Sequence, residues 1–287
     1  MDQASKLHIW TARPKDVELA QWPQLTAWLD AAERLCAAKF RRDDDRRAYI
    51  LAHALRRLAV ATELGMTPAS LAFSSETGGK PILTAPADRA IHFSHARSRT
   101  LVVCAVTRIG PVGIDAEFIE HNSADMALLR GLVALPDAQQ RRAALGSDST
   151  RQFFFYWTLL EAYWKSRGSG LSFDNPALHC QPTPQGWFEV STSQAGAGRH
   201  AARSGLAWAT ALQGPPDCMI MLAVTPSPAV AARSALRLCY HTPLFQSLFE
   251  PVLARQDGSP RNPHPWHRPC APPSPLSRMQ AATSLGA

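Results

Sequence analysis

The chain has 287 residues, a net charge of +7 at pH 7 and six cysteines, and its length allows one large or two small domains with a hydrophobic core. It has no apolar run long enough to span a membrane and no apolar stretch near its start, so neither a transmembrane helix nor a signal peptide is predicted. The cysteines are scattered without a CxxC pair, which argues against a zinc site and fits a reducing cytoplasm. The positive charge suits an anionic ligand or an acidic partner, and no nucleic-acid-binding motif accompanies it.

The N-terminal part of the chain is predicted to contain a strand at residues 7–10 and helices at residues 24–40 and 41–65. The second helix has apolar residues along one side and ends at Gly65, a residue type that favours helix C-termini. Its front carries a mixed run of arginine and aspartate that includes Arg42. Such a run is most often a solvated helix face, but an arginine fork also suits a phosphate group, and both interpretations stay open.

Two short motifs follow that can approach a ligand. In the glycine-rich segment 74–83, Gly79 allows close backbone approach, and Lys80 can reach a phosphate as a point charge. Most segments of this kind are only turns. The next motif, FSHARS, contains Ser94 and His95. A single histidine beside a strand is more often structural than a ligand, so the motif alone decides nothing.

Two apolar runs separated by a Gly-Pro turn are interpreted as the strands of a β-hairpin, at residues 101–107 and 112–117. Because side chains alternate along a strand, Asp115 and Glu117 project from the same face. Two like charges there are unfavourable unless solvent or a cation compensates them. For an isolated pair of this kind, a solvated strand end is the more common explanation.

Residues 149–170 predict one helix of about five turns. Ser149 or Thr150 can cap its start, no proline interrupts it, and Gly168 can end it. A buried face is indicated by large apolar residues at helical spacing, namely Phe154, Trp157, Leu160 and Trp164.

The same helix carries Glu161 and Lys165, which are four residues apart and therefore share a face. Most pairs of this kind are surface ion pairs of little energetic consequence. Together with Asp115 and Glu117, however, Glu161 would complete an oxygen site of the type that magnesium prefers when it binds substrate phosphates.

Beyond this helix the segments 171–190 and 206–224 contain strand-like patches. The composition then changes, since 11 of the 23 prolines lie in residues 226–287. Proline at this density opposes helices and central strands, so this tail is predicted to be disordered and dispensable for chemistry.

Four motifs in this order, GKP, FSHARS, GIDAE and WTLLEAYWK, resemble those of the 4′-phosphopantetheinyl transferases, in particular the larger monomeric type. The resemblance covers residues 7–224. It implies an α+β fold made of a pseudo-twofold pair of similar halves, residues 1–110 and 111–225. Each half would contain a small, mostly antiparallel sheet and one long helix, and coenzyme A would lie in the cleft between the halves.

The resemblance also implies a magnesium-dependent enzyme that transfers the 4′-phosphopantetheine group of coenzyme A to a serine of an apo acyl or peptidyl carrier protein. It would be a cytoplasmic monomer without nucleic-acid or membrane partners. Mg²⁺ would be held by Asp115, Glu117 and Glu161. The catalytic residues would be Glu161, as the candidate base, with Lys165 and His95. Coenzyme A would contact Arg42, Gly79, Lys80, Ser94, His95 and Lys165.

Three positions depart from the family pattern. His92 stands where asparagine is usual, and Ala96 stands where serine is frequent. Leu160 occupies the position of a lysine that precedes the helix glutamate, so we expect it at the edge of the coenzyme A phosphates. Its helical spacing from Trp157 and Trp164 instead places it on the apolar side.

These departures leave a second function open, a non-catalytic homologue that binds coenzyme A or a carrier protein. An adaptor that acts through the proline-rich tail is a third. The motifs identify neither the carrier protein nor its pathway, and they do not decide whether acyl-coenzyme A is accepted.

Overall fold

The computed structural model describes residues 6–75, 79–88, 90–120, 126–129, 132–135, 141, 145–172, 174–183, 186–192, 206–225 and 236–243. Its helices of seven or more residues are α1 (Trp22–Trp28), α2 (Ala31–Ala38), α3 (Asp43–Leu64) and α4 (Ser149–Arg167). None of the described helices is both long and apolar enough to cross a membrane.

The first sheet has four strands, in the order β11-β1-β5-β4. They are β1 (Lys6–Ala12), β4 (His92–Arg97), β5 (Val102–Thr107) and β11 (Arg237–His241). Strand β1 pairs antiparallel with β5 and parallel with β11, and β4 pairs antiparallel with β5. The long helix α3 packs against this sheet and forms a core with it.

The second sheet has five antiparallel strands, in the order β6-β10-β9-β8-β7. Helix α4 packs against β6 and β10. The strands are β6 (Val112–Phe118), β7 (Leu178–Pro182), β8 (Phe188–Thr192), β9 (Ala207–Ala211) and β10 (Cys218–Val224). A separate two-stranded ribbon pairs β2 (Ala72–Ser75) with β3 (Pro81–Ala85).

These elements confirm the α+β fold and the prediction of small, mostly antiparallel sheets with one long helix each. A third core, between the two sheets, joins them. Strand β6 also packs against β4 and β5 of the first sheet. The pseudo-twofold relation and the division at residues 1–110 and 111–225 stay predictions.

The predicted hairpin between residues 101–107 and 112–117 is wrong. Both segments are strands, but β5 pairs with β1 and β4 in the first sheet, whereas β6 pairs with β10 in the second. Consecutive apolar strands separated by a tight turn usually pair, yet here the chain passes from one sheet to the other. Alternation along β6 nevertheless holds, because Val112, Ile114 and Ala116 face the core between the sheets.

The prediction that residues 226–287 lie outside the packed fold also needs correction. Residues Arg237–His241 form the edge strand β11, in which Cys239 and His241 are buried. The Nδ1 atom of His8 on β1 lies 2.8 Å from Nε2 of His241, which ties the strand to its neighbour. Pro243 is described, and the other prolines of residues 226–287 lie outside the described residues.

Both long helices begin and end as their sequences dictate. Three aspartates occupy the first turn of α3, where the helix dipole favours negative charge, and Gly65 ends it with φ at 65°. Helix α4 is capped by Asp148, whose Oδ1 accepts from the amides of Thr150 and Arg151 at 2.9 and 3.1 Å. The cap therefore precedes the predicted Ser149 or Thr150, and Gly168 ends the helix as expected.

Candidate functional site

The site is built where strand β6 crosses helix α4. Gly113 lies so close to the helix that an added Cβ would overlap the carbonyl oxygen of Ala162 and approach the amide of Ser166 to 2.5 Å. Both neighbours are backbone atoms, which cannot give way as a flexible side chain can. Glycine therefore sets the distance between β6 and α4, and with it the separation of the charged groups that each carries.

Asp115 on β6 and Lys165 on α4 form an ion pair at this crossing. The Nζ atom of Lys165 donates to Oδ1 of Asp115 at 2.6 Å. Asp115 is only 4% exposed, and its second oxygen, Oδ2, is buried without a hydrogen-bond partner among the described residues. A buried carboxylate with one unsatisfied oxygen is costly, which makes Asp115 a candidate to bind a further ligand.

Glu117 and Glu161 lie beside this pair and titrate above their ordinary range. Burial, followed by the charge of Asp115, raises the pKa of Glu117 to about 7, although a hydrogen bond from Trp157 opposes the shift. Burial also raises the pKa of Glu161, against the opposing charge of Lys165. Three carboxylates, Asp115, Glu117 and Glu161, thus lie in one region with the ammonium group of Lys165 and the guanidinium group of Arg97.

The four charged side chains open into a cavity of about 440 Å³. Its walls come from α3 and β4 on the side of the first sheet, from β6 and α4 on the side of the second, and from Phe40 in the segment between α2 and α3. The lining residues are Phe40, Tyr49, Ala52, His53, His95, Ala96, Arg97, Asp115, Glu117, Glu161 and Lys165. The structure therefore brings together the predicted metal ligands and the predicted catalytic residues.

His95 lines this cavity, as a ligand role requires. Its Nδ1 atom is buried and has no hydrogen-bond partner among the described residues. Burial, and then the charge of Arg56, hold the pKa of His95 well below its usual value, so the ring is neutral near pH 7. A neutral imidazole offers one donor and one acceptor to a bound molecule.

The neighbouring Ser94 instead joins the two sheets. Its hydroxyl oxygen accepts a hydrogen bond from the amide of Ile114 at 3.1 Å, and its side chain is buried. Ser94 is not among the residues that line the cavity. Its predicted contact with coenzyme A stays a prediction.

Arg42, Gly79 and Lys80 also lie outside the cavity lining. Arg42 precedes helix α3 with its side chain 79% exposed. The Nζ atom of Lys80 donates to the carbonyls of Val112 at 3.4 Å and Ser166 at 3.3 Å, so it links the ribbon to β6 and α4. Their predicted coenzyme A contacts also stay predictions.

The expectation that Leu160 lies at the edge of the ligand phosphates is wrong. Leu160 is 0% exposed and belongs to the core between α4 and the second sheet. Glu161, the next residue on the helix, faces the cavity. The alternative drawn from helical spacing with Trp157 and Trp164 is the correct one.

Sequence reasoning missed the aromatic wall of the cavity, which consists of Phe40, Tyr49 and His53. The Tyr49 and His53 rings stack at 3.9 Å, and the Phe40 ring lies 5.3 Å from that of Tyr49. The spacing of four residues between Tyr49 and His53 was a signal that they share a helix face. Nothing local indicated that this face would meet β6 and α4.

The donor set of Asp115, Glu117 and Glu161 fits a hard cation such as Mg²⁺, and the unsatisfied Oδ2 of Asp115 is a suitable ligand atom. As the side chains stand, however, no group of three or more His, Cys, Asp or Glu residues in the described ranges is arranged to hold a metal ion. The ammonium of Lys165 interacts with Asp115 instead. Metal binding would therefore require these side chains to rearrange.

Comparisons with known proteins agree with the motifs. A family model described as 4′-phosphopantetheinyl transferase superfamily matches residues 111–212, and one described as 4′-phosphopantetheinyl transferase, N-terminal, matches residues 12–108.

Three relatives illustrate the sequence identity and the share of each chain that aligns. The 4′-phosphopantetheinyl transferase HetI of Nostoc sp. is 30% identical over 59% of this chain and 71% of its own length. The L-aminoadipate-semialdehyde dehydrogenase-phosphopantetheinyl transferase of Eremothecium gossypii is 35% identical over 54% of this chain and 56% of its own. A 4′-phosphopantetheinyl transferase of Bacillus subtilis is 28% identical over 52% and 64%. The match thus spans less than two thirds of the second and third relatives.

Proposed function

Because this chain belongs to the 4′-phosphopantetheinyl transferase superfamily, we propose that it transfers the 4′-phosphopantetheine group of coenzyme A to a serine of an apo acyl or peptidyl carrier protein. The observation that carries the proposal is the cavity in which Asp115, Glu117, Glu161 and Lys165 meet. Carboxylates and an ammonium group in one cleft suit phosphoryl transfer, which depends mainly on positioning and charge neutralisation.

In the proposed reaction the serine Oγ forms a bond to the β-phosphorus of coenzyme A. The bond from that phosphorus to the bridging oxygen breaks, and adenosine 3′,5′-bisphosphate leaves. Glu161 is the proposed base that takes the serine proton, directly or through a water molecule. Its raised pKa supports this role, because a carboxylate that holds a proton more tightly is a better base near neutral pH.

Lys165 is proposed to stabilise the charge that develops on the leaving phosphate. This requires its ammonium to move from Asp115 towards the ligand, a rearrangement that a side chain with 32% exposure can make. His95 is proposed to donate a ring N–H to a phosphate oxygen, since a neutral imidazole keeps one donor.

We include magnesium in the proposal, with Asp115, Glu117 and Glu161 as the residues that would hold it. When bound, Mg²⁺ would neutralise charge on the diphosphate and stabilise the leaving oxygen. Contacts from Arg42, Gly79, Lys80 and Ser94 to coenzyme A belong to the proposal as well, although they require the ligand to extend beyond the cavity described above.

The alternative of a non-catalytic binding protein rests on Leu160 in place of a phosphate-binding lysine and on the changed residues His92 and Ala96 that flank Ser94 and His95. Since Leu160 is a core residue, the loss of that cation no longer argues against catalysis. We also propose a cytoplasmic location, which the free cysteines of the described residues suit, and a monomeric state.

The test is incubation of the protein with coenzyme A, MgCl₂ and a panel of apo carrier proteins, followed by intact mass measurement. We expect one or more carriers to gain the mass of phosphopantetheine. Asp115→Ala should abolish the gain while the protein stays folded by circular dichroism. If the wild-type protein modifies none of the carriers, or the variant retains full activity, the proposed function or its site is incorrect.

A further inference from the structure

His53 is a polar residue in the wall of the cavity, and the proposed mechanism gives it no role. It lies on helix α3, one turn after Tyr49, and its ring is half-buried. The ring stacks on Tyr49 at 3.9 Å and meets the His95 ring edge-on, with the two ring centroids 5.4 Å apart. Packing on both sides thus fixes the orientation of the imidazole relative to the predicted phosphate-binding residues.

The protonation pattern of His53 follows from one hydrogen bond. Its Nδ1 atom lies 2.9 Å from the carbonyl oxygen of Tyr49. A carbonyl oxygen only accepts, so Nδ1 must carry the proton. Burial, and then the charge of Arg56, lower the pKa of His53 to about 4. The ring therefore holds only this one proton near pH 7, and Nε2 is an acceptor.

Nε2 of His53 has no hydrogen-bond partner among the residues that the structure describes. The carboxylates that share the cavity are acceptors when ionised, the ammonium of Lys165 is bonded to Asp115, and the guanidinium of Arg97 lies over the ring of Phe40. A phosphate oxygen is also an acceptor, so it would be repelled by the lone pair on Nε2. A ligand group that contacts Nε2 of His53 should therefore be an uncharged hydrogen-bond donor.

We propose that His53 contacts the substrate: its Nε2 accepts a hydrogen bond from a hydroxyl or an amide N–H of the phosphopantetheine arm of coenzyme A. The inference rests on the proposed function. The arm carries both donor types next to its phosphate, and its carbon backbone suits the apolar faces of Phe40, Tyr49 and Ala52 that adjoin His53. Lys165 would then hold the phosphate end, and His53 the arm that is transferred.

The experiment measures binding by calorimetry in the absence of carrier, with coenzyme A and with adenosine 3′,5′-bisphosphate, which lacks the arm. His53→Phe keeps a ring for stacking but removes both nitrogens. His53→Asn retains an amide near the position of Nδ1, and His53→Gln places an amide oxygen near that of Nε2. We expect Phe and Asn to raise the Kd for coenzyme A about three- to tenfold, the effect of one neutral hydrogen bond.

The Gln variant should restore most of the affinity, and all three variants should bind adenosine 3′,5′-bisphosphate as the wild type does. Thr62→Val is the matched control, because it removes a comparable bond on α3, from Thr62 Oγ1 to the carbonyl of Leu58 at 2.8 Å, away from the cavity. It should lower the melting temperature without changing either Kd.

Equal losses for both ligands would place the contact on the nucleotide. That result, or unchanged coenzyme A binding in the Phe and Asn variants, overturns the inference. Failure of the wild-type protein to bind coenzyme A would instead refute the proposed function, and the inference with it.

Discussion

Replacement of Leu160 by lysine restores the residue type that the family pattern has at this position, and we expect it to damage the protein. Leu160 is 0% exposed within the core between α4 and the second sheet. Loss of the buried leucine costs about 2–3 kcal/mol. Burial of the lysine side-chain nitrogen without a partner adds several kcal/mol to this loss of stability, whether the nitrogen stays charged or gives up its proton.

The total of roughly 5 kcal/mol or more equals the whole stability of many domains. At roughly 2–4 °C per kcal/mol, the melting temperature should fall by about 10 °C or more. Leu160→Met is the matched control, since this volume-conserving change should cost less than about 1.5 kcal/mol.

Both variants would be compared with the wild type by thermal melting and by calorimetric titration with coenzyme A. We expect the lysine variant to be strongly destabilised and to gain no affinity. A lysine variant that melts near the wild-type temperature and binds coenzyme A more tightly would refute the placement of Leu160 in the core.

Three further predictions concern the crossing of β6 with α4, the edge strand and the acidic cluster. Gly113→Ala should lower the melting temperature strongly and reduce transfer, because its Cβ would overlap the backbone of α4; an alanine variant as stable and active as the wild type would contradict this close approach. Truncation after residue 225 should lower the melting temperature further than truncation after residue 243, since it also removes β11 with its buried Cys239 and His241. Equal melting temperatures for the two truncations would show that β11 contributes nothing. Finally, the folded protein holds a proton on Glu117 more tightly than the unfolded chain does, so metal-free protein should lose stability as the pH rises from 4.5 to 7. Melting curves in EDTA across this range should show a smaller loss for Glu117→Gln, and identical slopes would exclude this contribution of Glu117.

Local sequence was sufficient for the two long helices and for strand β6, which carries Asp115 and Glu117. Helix α3 ends at Gly65 because a left-handed residue there suits glycine, and alternation along β6 puts Asp115 and Glu117 on one face. The spacing of Glu161 and Lys165 likewise gave their common helix face correctly. Each of these conclusions depends on neighbours within a few residues.

Strand partners could not be inferred in the same way. The sequence interval between β5 and β6 favours a hairpin, yet β5 pairs with β1 and β4 whereas β6 pairs with β10. Apolar residues of the two strands meet in the core between the sheets instead of lying side by side in one sheet. The edge strand β11 lies within a proline-rich composition that indicates disorder, but Arg237–His241 itself contains no proline and pairs with β1. Pairing of this kind is decided by long-range packing, which composition does not record.

The sequence by itself determined the family, the α+β class and the acidic residues that meet in the cavity, because these depend on ordered motifs and short-range periodicity. Only the tertiary structure decided that Leu160 is buried while Glu161 is not, and that Tyr49 and His53 form a wall of the same cavity. The physical reason is that exposure and contact depend on which elements pack against a helix face. Here the decisive neighbours lie far along the chain: β6 and β10 pack against α4, and Gly113 sets the distance between β6 and α4.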